Sequence, residues 1–236
     1  MARRRQVGKA LWGAAATVAV VAGLLYAAIG HRPSFYPPSE ASTPQRRQQA
    51  ANFVQHSLQL RNDAVNEERW EAVFTQDEVN AWLAEDLKSQ FPDLLPESIR
   101  EPRIVFEADR ATIALTYEEG WIRGVLWAVV RVGTGAENAV ELEVETLRLG
   151  MLPLPDVLLI DWIKASPALP LSWTRRDGHV VAVLRLEPRR RGRTLRIDDV
   201  RFTEGRMRVL GHSETEMTAF REPAADPVLR IPQQSL

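Results

Sequence analysis

The chain has no cysteine and only four histidines in 236 residues. Without cysteine there are no disulfides, thiolate metal sites or cysteine nucleophiles. The histidines are scattered along the sequence, and no two have the spacing of metal ligands; they are His31, His56, His179 and His212. The sequence also lacks a Gly-x-Ser-x-Gly elbow, a phosphate loop and a dinucleotide-binding fingerprint. These absences predict a protein that is not an enzyme and that uses neither a metal nor a cofactor.

The sequence also has no large excess of positive or negative charge, because its formal net charge is −1. Several of the positive charges are concentrated in residues 1–9, so the remainder of the chain is mildly acidic. Nucleic-acid binding needs a broad basic face. The charge balance therefore predicts no nucleic-acid partner.

Residues 10–29 form a run without a single charge, rich in Ala, Val and Leu. A helix of this length measures about 30 Å, the thickness of the hydrocarbon layer of a bilayer. The basic head, residues 1–9, precedes the run, so the positive-inside rule places the head in the cytoplasm and the rest outside. A cleaved signal peptide ending near residues 28–30 is the alternative, although the run exceeds the usual core of about 7–15 residues. We therefore predict a single-pass anchor in the cell membrane, followed by a proline-containing linker over residues 30–43.

Two helix starts follow the linker. Thr43 precedes Pro44, which is the order of a capping residue and a first-turn proline. Thr75 and Glu78 have the spacing of a capping box. An amphipathic stripe follows that box, formed by Val79, Trp82, Leu83, Leu87 and Phe91. The sequence thus predicts amphipathic helices on both sides of a short strand at residues 69–74.

Residues 103–149 read as four consecutive antiparallel strands. A two-residue turn at Asp109-Arg110 would pair Phe106 with Ile113. A loop over residues 118–120 would pair Ile113 with Val125. The phase of the apolar residues changes near Glu145, which predicts a β-bulge that bends the strand.

Two further hairpins follow an apolar helix predicted to begin at residue 156. The Asp177-Gly178 turn would pair Trp173 with Ala182. The Glu204-Gly205 turn would pair Phe202 with Met207, and a second bulge is expected at residues 198–199. Together these elements predict an α+β domain over residues 44–212, a curved antiparallel sheet packed by amphipathic helices, with a flexible tail at residues 213–236.

The order of these parts resembles a group of membrane-anchored bacterial envelope proteins that includes the YpmS-like family, and more distantly the tubular lipid-binding (TULIP) domains. The similar parts are the anchor, the helix start over residues 74–83, the meander after it, residues 144–155 and the closing hairpin over residues 195–211. The similarity covers about residues 45–212. In TULIP domains a long bent sheet wraps a helix and encloses an apolar groove, so the resemblance implies a lipid-facing groove.

Three sets of residues are candidates for a site. The first would line an apolar groove, although such residues are core by default; it comprises Trp82, Trp121, Trp127, Leu159, Trp162 and Trp173. The second would contact lipid head groups or form a solvated loop, and comprises Arg189, Arg190, Arg191 and Arg193. The third would attract a divalent cation or form a solvated strand face, and comprises Glu141, Glu143 and Glu145.

The sequence therefore supports two functions. The first is binding of a lipid or another apolar ligand in the groove of a curved sheet outside the cytoplasm. The second is a non-catalytic scaffold that assembles with other proteins of the cell envelope. An apolar cavity would favour the first function, and an exposed apolar patch without a cavity would favour the second.

Overall fold

The computed structural model describes residues 17, 19–39, 41–135, 138–155, 158, 171–185, 189–190 and 193–215. Their helices are α1 (residues 19–30), α2 (Pro44–Asn66), α3 (Gln76–Glu85) and α4 (Leu87–Gln90). The strands are β1 (Arg69–Thr75), β2 (Ile99–Glu107), β3 (Arg110–Glu119), β4 (Ile122–Gly135), β5 (Ala139–Leu149), β6 (Leu152–Pro153), β7 (Leu171–Arg176), β8 (His179–Arg185), β9 (Arg189–Arg190), β10 (Arg193–Thr203) and β11 (Arg206–Thr215). The predicted α+β class is confirmed. None of the described helices has the length and hydropathy of a membrane span, and residues 10–16 and 18 of the predicted anchor lie outside the described residues.

Two antiparallel sheets enclose the core. The four-stranded sheet has the order β1-β11-β10-β9, and the seven-stranded sheet has the order β2-β3-β4-β5-β8-β7 with β6 paired to β5. Phe106 of β2 stacks on Phe202 of β10, with 5.2 Å between the ring centroids. We call the face of the seven-stranded sheet that carries Phe106 the inner face. Its other buried core residues are Ala111, Val130, Val144 and Val180.

The predicted helix starts are confirmed by their hydrogen bonds. The Thr43 hydroxyl accepts the amide of Arg46 at 3.1 Å. Thr75 and Glu78 form the reciprocal capping box, with bonds of 3.0 and 3.3 Å. Each bond satisfies an amide that the first turn of a helix leaves free.

Helix α3 also covers the edge of β2 with side-chain amides. Asn80 both accepts from and donates to the backbone of Ile104 at 2.8 Å, and the Gln76 side chain accepts the amide of Phe106 at 2.9 Å. These bonds replace the pairing that a further strand would supply, so they protect this edge of the sheet.

The two later hairpins have the predicted registers. Trp173 pairs with Ala182 across the Asp177-Gly178 turn, and Phe202 pairs with Met207 across the Glu204-Gly205 turn. Both predicted bulges are present as register shifts, one beside Glu145 and one between residues 197 and 199. Strand β11 reaches Thr215, and residues 216–236 of the predicted tail lie outside the described residues.

The two earlier registers were predicted wrongly. Phe106 pairs with Ala111, because the first turn uses Ala108 and Asp109, the latter with φ of +60°. This shift of two residues keeps every side chain on its predicted face.

The second error changes the face of β4. The turn uses Gly120, with φ of +58°, and Trp121, so Ile113 pairs with Ala128 instead of Val125. The odd shift moves Val125 and Trp127 to the outer face, away from the main core.

Candidate functional site

The inner face of the seven-stranded sheet is largely apolar. Directly paired residues on it include Leu115 with Leu126, Leu142 with Ala182, and Val140 with Leu184. The centre of the face is closed by the stacked Phe106 and Phe202 rings. Apolar side chains beyond this centre are half-buried instead of buried; they are Leu115, Leu126, Val132, Val140, Leu142, Trp173 and Leu184. Adjacent large apolar side chains that stay partly exposed form a surface patch of the kind that contacts an apolar ligand or a partner protein.

Four of these half-buried residues lie together where β5 begins and β8 ends. We call them the distal flank: Val140, Leu142, Trp173 and Leu184. Trp173 contacts the main core, and its indole Nε1–H is buried without a hydrogen-bond partner in the described structure. Buried indole donors normally find an acceptor. The distal flank therefore combines an apolar surface with one unused donor.

The middle of β10 contacts the residue that precedes β5. The amide of Ile197 donates to the side chain of Asn138 at 2.7 Å, and Asn138 immediately precedes β5. Strand β9 is formed by Arg189 and Arg190 and pairs with Arg193 and Thr194 of β10. The arginine-rich edge of the small sheet is thus formed by β9 and the start of β10, while Arg191 lies outside the described residues.

The residues predicted to line one groove occupy separate surroundings. Trp173 lies on the inner face, and Trp82 lies between α2 and α3, where its ring centroid is 5.1 Å from that of Phe53. Trp127 is on the outer face, and Trp121 is 74% exposed in the β3–β4 turn. Leu159 and Trp162 lie outside the described residues. Of the described members, Trp173 is the one that the structure places in the distal flank.

A second feature, which the sequence did not predict, is the packing of the linker on the domain. Tyr36 is 0% exposed and packs on the outer face against Ala114 and Val125. Phe35 meets Trp127 edge-on, with 5.5 Å between the ring centroids. We call residues 33–36 and the outer-face residues that they contact the linker seat.

The hydroxyl of Tyr36 is fully used inside the linker seat. It donates to the carbonyl of Glu101 at 2.7 Å and lies 3.0 Å from the hydroxyl of Thr116. The guanidinium groups of Arg32 and Arg103 lie 5.2 and 5.6 Å from the ring centroid, within the range of cation–π attraction. Burial raises the pKa of Tyr36 above the ordinary tyrosine value, with a smaller contribution from Glu101. The side chain therefore holds the linker as a neutral, hydrogen-bonded anchor.

The carboxyl end of α1 is fixed beside the linker seat. The amide of Met151 donates to the carbonyl of Ala28 at 2.9 Å, and Trp127 donates from its indole to the carbonyl of Gly150 at 2.9 Å. A Cβ on Gly150 would lie 2.2 Å from the Ala28 oxygen, and one on Gly124 would lie 2.6 Å from the Ile29 oxygen. Both glycines therefore permit a close backbone approach that larger residues would prevent.

Two of the three carboxylates predicted as cation ligands are paired with arginines. Glu141 accepts two bonds from Arg176, at 2.6 and 3.0 Å. This pairing lowers the pKa of Glu141. Glu145 meets Arg110 at 3.1 Å and also contacts Arg131. Among the described residues, no group of acidic or imidazole side chains has the arrangement of a metal site.

His212 is the histidine with the most polar surroundings. One ring nitrogen lies 2.7 Å from Asp198, at the bulge of β10, and the other lies 3.5 Å from Glu214. These residues line an open surface depression together with Glu71. The neighbouring Ser213 hydroxyl is buried and donates to the carbonyl of Ala64 at 2.6 Å. Its role is thus structural, and it does not form a nucleophile–histidine pair.

The chain matches no known protein family, and no characterised protein or solved structure matches it either. The resemblance to the YpmS-like proteins and the TULIP domains therefore stays a prediction.

Proposed function

We propose that the chain is a membrane-anchored, extracytoplasmic and non-enzymatic protein that binds a lipid or a similar amphiphile on the inner face of a curved sheet. The observation that supports this most directly is the distal flank. Its half-buried aliphatic side chains continue the apolar surface beyond the packed centre formed by Phe106 and Phe202. An acyl chain lying along Leu142 and Leu184 would complete their burial, at about 25 cal/mol per Å² of apolar area.

The polar end of such a ligand has suitable partners nearby. The indole N–H of Trp173 is buried without an acceptor, so a lipid carbonyl or acid group would accept its bond after a shift of the Trp173 ring. Guanidinium groups suit an anionic head group, so the predicted head-group contacts stay the arginine-rich stretch, which comprises Arg189, Arg190, Arg191 and Arg193. An amphiphile with an acyl chain and an anionic head is therefore the ligand class that we propose.

The orientation of the domain follows from where α1 meets it. Strand β5 runs from Ala139, next to the distal flank, to Leu149, beside the end of α1. Eleven residues of strand span about 35 Å. In this proposal the distal flank lies well away from the membrane surface, which suits a protein that accepts or delivers a lipid outside the bilayer. The bulge at Glu145 would bend β5 between these two ends.

A scaffold that assembles with other envelope proteins is the second candidate. The stacked rings of Phe106 and Phe202 favour it, because they fill the centre of the inner face and leave a surface instead of an enclosed channel. In that case the distal flank would contact a partner protein.

Photocrosslinking in intact cells tests the proposal with a matched pair. Benzoylphenylalanine replaces Leu184 in one full-length variant and Arg185 in the other. These neighbours point to opposite faces of β8, since Leu184 pairs with Val140 and Arg185 with Ala139. We expect a lipid adduct at Leu184 that mass spectrometry identifies, and none at Arg185. A protein adduct at Leu184 would favour the scaffold, and equal labelling of both variants would contradict a ligand on the inner face.

A further inference from the structure

Helix α1 contacts the domain through its carboxyl end. Residues 19–27 are all exposed, whereas Ala28 and Ile29 are half-buried against the β5–β6 turn. The exposed side chains are largely apolar, including Leu24 at 66% and Tyr26 at 68%. A helix that has no charged side chain and is exposed around its whole circumference needs an apolar environment. The helix therefore projects away from the domain into an apolar environment.

Two turns next to this helix end expose large apolar side chains. The β3–β4 turn carries Trp121, and the β5–β6 turn carries Met151, which is 57% exposed. Both turns lie at the same end of the sheet, since β4 begins and β5 ends there. The Met151 amide itself holds the carbonyl of Ala28. Met151 is thus adjacent to the point where α1 leaves the domain, and Trp121 lies three residues before Gly124, whose backbone approaches Ile29.

Two arginines beside the β3–β4 turn share one carboxylate. Glu118 lies 3.4 Å from Arg100 and 2.9 Å from Arg123. Tryptophan and tyrosine are favoured at the level of lipid head groups, where one end of the side chain is apolar and the other hydrated.

We infer that the β3–β4 and β5–β6 turns form a second membrane contact, in which Trp121 and Met151 enter the head-group layer of the leaflet from which α1 emerges. The inference rests on the membrane anchor of the proposed function and is independent of the ligand on the distal flank. With α1, the two turns give three points of contact. Together with the linker seat they fix the tilt of the domain on the membrane.

The absence of cysteine makes the test direct, because each introduced cysteine can be labelled without background. Nitroxide labels are placed on the Trp121→Cys, Met151→Cys and Ala108→Cys variants of the full chain in vesicles of phosphatidylethanolamine and phosphatidylglycerol. Ala108 is an exposed control at the other end of β3, about 40 Å from Trp121 along the strand. The measured quantity is the collision rate of each label with oxygen, which concentrates in lipid, relative to a water-soluble nickel complex.

We expect this ratio to be several-fold higher at residues 121 and 151 than at residue 108 in the vesicles. Equal ratios at all three positions in vesicles would overturn the inference while leaving the anchor intact. A chain that does not float with the vesicles would overturn both. The adduct at Leu184 reports on the ligand separately, so the failures are distinguishable.

Discussion

Replacing Gly150 by alanine tests the fixed position of α1, and Gly120 provides the matched control. The two glycines have nearly the same backbone conformation, with φ of +59° and +58°. A residue with a Cβ is strained there by roughly 1–2 kcal/mol. This backbone strain is the same for both substitutions. Any difference in their loss of unfolding free energy therefore reports on the atoms around each added Cβ.

The surroundings differ sharply. An added Cβ on Gly120 meets no atom within 4 Å, whereas one on Gly150 would lie 2.2 Å from the oxygen of Ala28 and 2.5 Å from that of Ile29. The turn has little freedom to move, since the Gly150 amide donates to Val125 at 2.8 Å. Overpacking of this kind costs about 1–3 kcal/mol. We therefore expect a loss of about 1–2 kcal/mol for Gly120→Ala and of about 2–5 kcal/mol for Gly150→Ala.

Urea unfolding of the full chain in detergent, followed by tryptophan fluorescence, measures both losses. Hydrogen exchange adds a local readout at the amide of Tyr36, which donates to Pro33 at 3.0 Å. This amide should exchange several-fold faster in Gly150→Ala and at the native rate in Gly120→Ala. If the free energies of unfolding of the two variants agree within about 0.5 kcal/mol and the Tyr36 amide is protected from exchange in both, α1 does not dock on the turn.

Three further outcomes are expected. Tyr36→Phe removes two buried hydrogen bonds and should lower the free energy of unfolding by about 1–3 kcal/mol, whereas the exposed control Tyr26→Phe should change it by less than about 0.5 kcal/mol. The pKa of Tyr36 is raised in the folded chain, so its stabilisation is complete below the ordinary value of 10.0 and is lost as the pH rises through the folded pKa. The urea midpoint of the unsubstituted chain should therefore fall at alkaline pH through this residue, and that of Tyr36→Phe should lack this fall. Trp173→Phe removes a buried donor without a partner, so it should leave the melting temperature of lipid-free protein unchanged or higher while weakening lipid binding several-fold; a lower melting temperature with native lipid binding would contradict the role of the donor. A hydrogen bond to Glu119 raises the pKa of Tyr117 to about 12, and tyrosinate absorbance should show this transition moving towards 10 in Glu119→Gln; an unchanged titration would rule out the bond.

Local turn chemistry explains which parts of the fold were predictable. Asp177-Gly178 and Glu204-Gly205 specify two-residue turns, so both registers and the position of Trp173 followed from the sequence. The β3–β4 turn has a glycine at one of several possible positions in an acidic loop. Choosing a three-residue loop placed Trp127 on the wrong face, since an odd shift in register exchanges the faces of a strand.

The linker seat was not predictable from such local signals. The partners of the Tyr36 hydroxyl, Glu101 and Thr116, follow it by 65 and 80 residues. A proline-containing segment after an apolar run is typical of a spacer, and nothing in its own sequence indicates packing. The most informative sequence signal for the packing of this segment was the pair Gly124 and Gly150. Isolated glycines near strand ends often mark the close approach of another backbone, which here is the end of α1.

Lipid binding on the inner face is tested most directly by native mass spectrometry of the full chain released from detergent micelles, with extraction and identification of any retained lipid. Leu184→Glu and Arg185→Glu are the matched variants, because they place the same charge on opposite faces of one strand. We predict one lipid with an anionic head group per chain, retained in Arg185→Glu and lost in Leu184→Glu. A lipid-free native chain, or equal retention in all three proteins, would contradict ligand binding on the inner face.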